Sequence, residues 1–148
     1  KLLKTTATYQ IVSEQLILFN QAGKKILTFK RAKMEVNPRL HDIWFALRID
    51  QVPIKRLVAK TRLEINLTNQ QVYGFDGCNE FNGNIEKIDT GKIEIGDMNS
   101  TLKACDELNV SDSFNQAFSK IATYQLKNLE LTFYDKNGVE LLAFMKGD

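Results

Sequence analysis

Apolar and polar positions alternate with the period of a β-strand along most of this chain, and one stretch keeps the period of a helix. Between Thr61 and Thr68, Leu63, Ile65 and Leu67 fall on one face. Ile43 to Ile49 is a dense apolar run around the only tryptophan, Trp44. Both read as walls of one core. Val72 to Phe75 reads as a further strand, Ile93 and Ile95 as a shorter one after the Thr90-Gly91 turn, and Asn84 to Ile88 as part of the hairpin between them. The helical stretch carries Phe114, Phe118 and Ile121 at i, i+4 and i+7, with Ala117 between them. Val110-Ser111-Asp112-Ser113 precedes it with short oxygens suited to a cap, and Ser113 with Gln116 fits a capping box. A lone amphipathic helix in a strand-rich chain closes the core, so the Phe stripe is expected to be buried rather than turned to a partner.

The pattern also repeats. Ala7-Thr8-Tyr9-Gln10 recurs as Ala122-Thr123-Tyr124-Gln125, an offset of 115 residues (122 minus 7). At that offset Leu16 meets Leu131, Gly23 meets Gly138, Leu27 meets Leu142 and Phe29 meets Phe144, so a tetrapeptide, a turn glycine and a closing aromatic share one register. Each copy reads as three strands. In the second, Leu129, Leu131 and Phe133 lie on one face, Asp135-Lys136-Asn137-Gly138 supplies turn residues that tolerate positive φ, and Val139, Leu141 and Ala143 return. In the first, Asn20-Gln21-Ala22-Gly23 makes the equivalent turn. Three strands bury too little apolar surface to stand alone, so residues 1–31 are expected to dock onto the rest of the chain or exchange with a neighbouring molecule. Residues 32–42, with Pro38 and no sustained period, read as a connector, and 43–148 as the main domain.

Composition bounds the chemistry. A chain of 148 residues, 43% hydrophobic, supports one real core. Twenty basic residues against 18 acidic ones give a formal charge of +2, too weak a field to steer the chain to nucleic acid. The short clusters Lys24-Lys25 and Lys30-Arg31 read as solvated edge protection. No run reaches the roughly 18 apolar residues that a membrane helix needs. The chain starts Lys-Leu-Leu-Lys without methionine, which fits a trimmed fragment whose export signal or lipid-anchor cysteine has been removed. Cys78 and Cys105 are too few for a disulfide scaffold but can make one bridge in an oxidising compartment.

The densest candidate for function runs Val72-Tyr73-Gly74-Phe75-Asp76-Gly77-Cys78-Asn79-Glu80-Phe81-Asn82-Gly83-Asn84. Three glycines among small polar residues suit either a binding loop or a bulged corner where a strand bends within a curled sheet. Downstream, Met98-Asn99-Ser100-Thr101-Leu102-Lys103-Ala104-Cys105 brings the second cysteine to the start of the helix. Gly77-Cys78-Asn79 with Phe81 and Gly83, then Thr101 with Ala104-Cys105, then a helix, Tyr124 and a terminal hairpin, resemble the META domain family, which includes the heat-inducible bacterial protein HslJ. The resemblance covers roughly residues 38–146. It implies an α+β fold in which a strongly curved, incompletely closed, mostly antiparallel β-barrel or sheet embraces one short helix. It also implies a place in the cell envelope, periplasmic or lipoprotein-like, and no assigned enzymatic activity. The two motif stretches are expected to meet at one edge of the core, bringing Cys78 and Cys105 within bridging distance. Residues 1–31 resemble the end of a second META domain without its beginning.

Other chemistries find little footing. His41 is the only histidine, so Cys78 or Cys105 with His41 is the sole Cys–His pairing, and it sits in the connector. Two cysteines 27 residues apart and one histidine lack the spacing of a zinc site, and no phosphate-binding glycine motif precedes a helix. Asp76 and Glu80 could pair as carboxylates. Catalytic, cofactor and metal sites are therefore not assigned. The leading expectation is an exported META module that binds an envelope partner or supports the envelope without turnover. The alternative is a carrier of a small apolar ligand or lipid inside an open barrel, and a weaker third is a hydrolase using Asp76, Glu80 or Cys78.

Overall fold

Twelve strands form among the described residues, nearly all where alternation predicts them. A computed structural model describes residues 2–30, 36–54, 60–105 and 108–147, so Arg31 and residues 32–35 of the connector lie outside the description. The chain divides into two units, Lys1–Met34 and Glu35–Asp148.

The first unit is an open antiparallel sheet in the order β1-β2-β3, formed by β1 (Thr8–Val12), β2 (Gln15–Phe19) and β3 (Lys25–Lys30), after a 3-10 turn at Leu2–Thr5. Ser13 and Glu14, both at positive φ, turn β1 into β2. The β2–β3 turn is organised by Asn20, whose Oδ1 accepts from the N–H groups of Ala22 and Lys24 at 3.1 and 2.9 Å, with Gly23 at φ +73°. This side-chain-to-backbone turn needs only local residues.

The second unit is a closed barrel. Its strands are β4 (Asp42–Ile49), β6 (Arg62–Asn66), β7 (Gln71–Phe75), β8 (Glu80–Asp89), β9 (Lys92–Ser100), β10 (Thr123–Lys127), β11 (Glu130–Tyr134) and β12 (Glu140–Lys146), all antiparallel to their neighbours. A short ninth strand, β5 (Val52–Pro53), extends β4. The expected incomplete closure is corrected by the pairing of β12 with β4, in which Leu142 faces Ile49, Phe144 faces Ala46 and Lys146 faces Trp44. Alternation reports which face of a strand is buried but not which strand lies beside it, so a seam between the last strand and the first is invisible to it. Charge reinforces this seam: Lys146 Nζ lies 2.8 Å from Asp42, and Arg48 lies 2.7 Å from both Glu140 and Glu130. The narrowest joint is β9 to β10, held by the single pair Thr123 and Lys92, where the chain leaves the sheet to form the helix.

That helix, α1 (Leu108–Phe118), lays Phe114, Ala117 and Phe118 against the inner wall. Phe114 is 5.4 Å from Phe81 and from Phe118, and meets Phe144 edge-on at 6.4 Å; Phe144 in turn meets Phe133 edge-on at 5.8 Å. With Trp44, Leu63, Ile65, Val72, Leu131 and Leu142 these rings fill the core. Each buried Phe contributes on the order of 2–3 kcal/mol from area alone. Ile121, just past the helix, is half-buried against the same cluster.

Several local expectations shift. The helix begins at Leu108, so Ser111 to Ser113 lie inside it and Ser113 is not its cap. β9 runs nine residues and β8 ten, absorbing Glu80 to Gly83, which the motif alone left open as a loop. Leu129 and Val139 sit at the strand turns and are exposed, while Leu131 and Phe133 are sealed. The described part of the connector joins the barrel: Leu40, in a 3-10 turn at Pro38–Leu40, is buried, and its carbonyl accepts from Trp44 Nε1 at 3.0 Å.

Candidate functional site

The motif residues converge where the β7–β8 turn meets the segment leading into α1. Chain reversal begins at Asp76, whose N–H donates to the Asn79 carbonyl at 2.9 Å. Gly77 sits inside the turn at φ +109°, and a Cβ there would meet Val110 Cγ1 at 3.3 Å, so both the dihedral and the close approach of α1 favour glycine. Gly74, within β7, leaves the space into which the Phe81 ring folds; a Cβ there would strike that ring and lie 2.5 Å from the Arg62 carbonyl. Gly83 lies next to a shift in the β8–β9 register, so the bulged-corner reading holds and Phe81 and Gly83 belong to a strand.

Asp76 is the hub. Its side chain is 1% exposed, and both carboxylate oxygens are engaged. Oδ1 accepts from the N–H groups of Cys78 and Asn79 at 2.8 and 2.6 Å, while Oδ2 accepts from Ser111 Oγ at 2.7 Å and Asn115 Nδ2 at 2.8 Å. Burial pushes the carboxyl's pKa up, but the donors from Asn79, Ser111, Cys78 and Asn115 outweigh it and hold the group below the usual carboxylate range. Asp76 is thus an ionised acceptor whose hydrogen-bonding positions are taken up by the protein itself. Asn79 extends the network: its Oδ1 accepts from Thr101 Oγ1 at 2.9 Å and from the Lys103 N–H at 2.8 Å. Thr101 also accepts from the Glu80 N–H at 3.2 Å and donates its own N–H to the Glu80 carbonyl at 3.0 Å.

Cys78 and Cys105 are joined by a disulfide with Cα atoms 5.9 Å apart. The bridge, the Asp76 hub and the Asn79 pair tie three segments into one clasp: the β7–β8 turn, residues 101–105 and the start of α1. Ala104 is exposed. Asp76 and Glu80 do not form a carboxylate pair, because Asp76 is buried while Glu80 is mostly exposed and lies 3.8 Å from Arg62. His41 is exposed, and with both sulfurs bonded neither cysteine is a free nucleophile. Among the described residues no three His, Cys, Asp or Glu side chains cluster to hold a metal. Ser111 and Asn115 were legible only as helix polar positions; their spacing of i and i+4, facing a buried acid, is the signal that could have found them.

The META domain family matches residues 41–148, a span that holds the clasp and every strand of the barrel. The chain belongs to the META domain family. Its fold is similar to an NMR structure at TM-score 0.61 and 16% identity, covering 75% of this chain and 95% of that one. It is similar also to an NMR structure of a Burkholderia xenovorans protein at TM-score 0.57 and 22% identity, covering 80% and 94%. No curated protein matches the sequence. At these identities the likeness concerns fold alone.

Outside the clasp, this META barrel carries an open groove of about 440 Å³ on the outer face of β6 to β9, lined by Arg62, Glu64, Tyr73, Glu80, Asn82 and Asn99. A second gap of about 440 Å³ beside α1, lined by Glu86, Gly96, Asp97, Phe118, Ser119 and Ile121, opens to solvent. No helix of the described residues is long and apolar enough to cross a membrane.

Proposed function

We propose that this chain is an HslJ-like META module exported to the cell envelope, where it acts by binding or supporting other envelope components, without turnover. The observation that carries the reading is the clasp. The polar motif residues Asp76, Asn79 and Thr101 spend their hydrogen bonds on one another, on the backbone and on Ser111 and Asn115 of α1, and Cys78 is bonded to Cys105. A motif consumed in this way makes the barrel durable and leaves contact with partners to its outer surface, where the groove with Arg62, Glu64, Glu80 and Tyr73 suits a polar partner. A disulfide is at home in an oxidising compartment. The carrier alternative needs apolar space inside the barrel, whereas Phe81, Phe114, Phe118, Phe133 and Phe144 occupy the interior. The repeat adds a finer element to this reading: β1 to β3 are the closing part of a second META copy.

Fractionation of cells expressing the natural gene, combined with thiol alkylation before and after reduction, tests the assignment. The expected result is protein in the envelope fraction with both cysteines blocked until reduced. Protein in the cytosol with both thiols alkylated at once would sink it.

A further inference from the structure

β1 to β3 and β10 to β12 are the same object in local structure. Tyr9 faces Leu18 as Tyr124 faces Phe133, Ile11 faces Leu16 as Leu126 faces Leu131, and Leu16 faces Phe29 as Leu131 faces Phe144. Both sheets slip register at the equivalent step, between Leu18 and Phe19 and between Phe133 and Tyr134. Both second turns hang on one side-chain oxygen, Asn20 Oδ1 in one and Asp135 Oδ1 in the other, which accepts from the N–H groups two and four residues on. The match reaches back before the first strand, where the Ala7 N–H donates to the Phe19 carbonyl as Ala122 does to Tyr134.

What differs is cover. Leu131, Phe133, Leu142 and Phe144 are fully buried under α1 and the facing wall, whereas on the equivalent face only Leu18, the counterpart of Phe133, is buried; Leu27 is half-buried, Tyr9 and Ile11 are 70% exposed, Phe29 is 48% and Leu16 is 36%. Even the polar tip has lost its mate: Tyr124 Oη donates to the Asp89 carbonyl at the β8–β9 turn, while Tyr9 stands in solvent. Such a face, closed only around Leu18, is a largely unfilled interface.

We propose that this face takes a META front, meaning the equivalents of β4 to β9 and α1, carried on the same polypeptide ahead of β1. The inference rests on β1 to β3 being a META copy. Two observations choose this occupant. In the barrel the chain passes from α1 through Ser119 to Ile121 straight into Ala122, so the matched entry at Ala7 fits a front joined ahead of it. Charge then argues against a second copy of this chain lending its own β4. Arg48 of β4 is held by Glu130 and Glu140, but their equivalents on the open sheet are Gln15 and Lys25. A strand bearing Arg48 would meet a lysine there, so the fitting front carries an acid at that position.

Two variants and the natural chain test this. In the first, residues 38–121 carrying Arg48→Glu are joined directly ahead of Ala7, with a twin that keeps Arg48. The Arg48→Glu fusion should be monomeric, with amide exchange at Ile11, Leu16 and Leu27 slowed about 100-fold relative to the natural chain, and the twin should be slowed less. Unchanged exchange in both fusions, or equal protection in both, overturns the proposal. In the second, residues 122–146 of the chain are replaced by a copy of residues 7–31, again with Arg48→Glu; a cooperative melt supports β1 to β3 as a working META wall, and a chain without one overturns the META-copy reading and the inference together. Finally, if the swapped wall folds but the natural chain already protects Ile11 and Leu16, either as a monomer or as a dimer in sedimentation, the copy reading stands and the occupant is wrong.

Discussion

Tyr9 to Phe29 and Tyr124 to Phe144 hold the same cross-strand partners, the same register slip and the same turn geometry, yet one set of side chains is sealed and the other, apart from a buried Leu18 and a half-buried Leu27, lies open to water. The comparison separates two kinds of information in a sequence. Register and turns come from nearby residues: a side-chain oxygen at Asn20 or Asp135, a glycine at positive φ, alternation on either side. Burial is non-local, since it depends on α1 and on strands far away in the chain. A three-strand sheet can therefore keep its pattern after losing its cover, or while its cover is elsewhere.

The sharpest way to break the comparison is to remove the same ring from both sheets. Phe144→Ala leaves a hole against Phe114 and Phe133 and should cost about 3–5 kcal/mol, enough to unfold the barrel at moderate temperature. Phe29→Ala removes a half-exposed ring and should cost less than about 1 kcal/mol. Paired urea melts monitored at Trp44, which reports on the barrel, and amide exchange across β1 to β3 measure the two. Equal losses would mean that the first face is covered in solution.

A middle-sized effect belongs to the clasp, which the barrel owns and the open sheet lacks. Asp76→Ala strands four donors, two of them backbone N–H groups, and should destabilise the barrel by about 3 kcal/mol or more. Its pH dependence has a fixed sign. The folded pKa is depressed, so Asp76 contributes stability above its unfolded value near 3.8, and that contribution is lost as pH falls through the lower folded value. Wild type should lose stability in acid more steeply than Asp76→Asn, as seen in melting temperature between about pH 5 and pH 2. A parallel loss in the two proteins would show that Asp76 is not the titrating hub.

Much of this was legible beforehand. Strands such as β4 and β6 follow from alternation, the Phe114 and Phe118 stripe from its spacing, and the repeat from identity at a fixed offset. Three features escaped for physical reasons. Closure by β12 on β4 is a contact between the first and last strands of the barrel that periodicity cannot express. The helix start was misplaced because Ser111, a residue type that favours caps, is drawn instead into the Asp76 network from inside the helix. Asp76 and Glu80, neighbours in the motif, were separated by the β7–β8 turn: one turns into the core and the other, at the start of β8, faces solvent beside Arg62.

The smallest expected effect lies in the two turns, where the sheets look most alike. Asn20 and Asp135 do the same work with the same geometry, but one is neutral and the other ionised. Asp135 is held below the usual carboxylate range, first by the Val139 N–H; desolvation opposes this, and the donors of Asn137 and Gly138 add to the lowering. Because the folded pKa is depressed, the turn's hydrogen bonds are strongest above the unfolded value and weaken as pH falls through the folded one. The Asn20 turn has no such dependence, since an amide oxygen keeps its charge distribution over the whole range. Amide exchange followed from pH 5 to pH 2, after correction for the intrinsic rate, should therefore show Val139 losing protection relative to the rest of β11 and β12 while Lys24 holds constant relative to β2 and β3. Asp135→Asn should make the two turns respond alike. If Val139 loses protection in that variant as it does in wild type, the acid sensitivity comes from the barrel as a whole and the turns do not differ in the way their side chains imply.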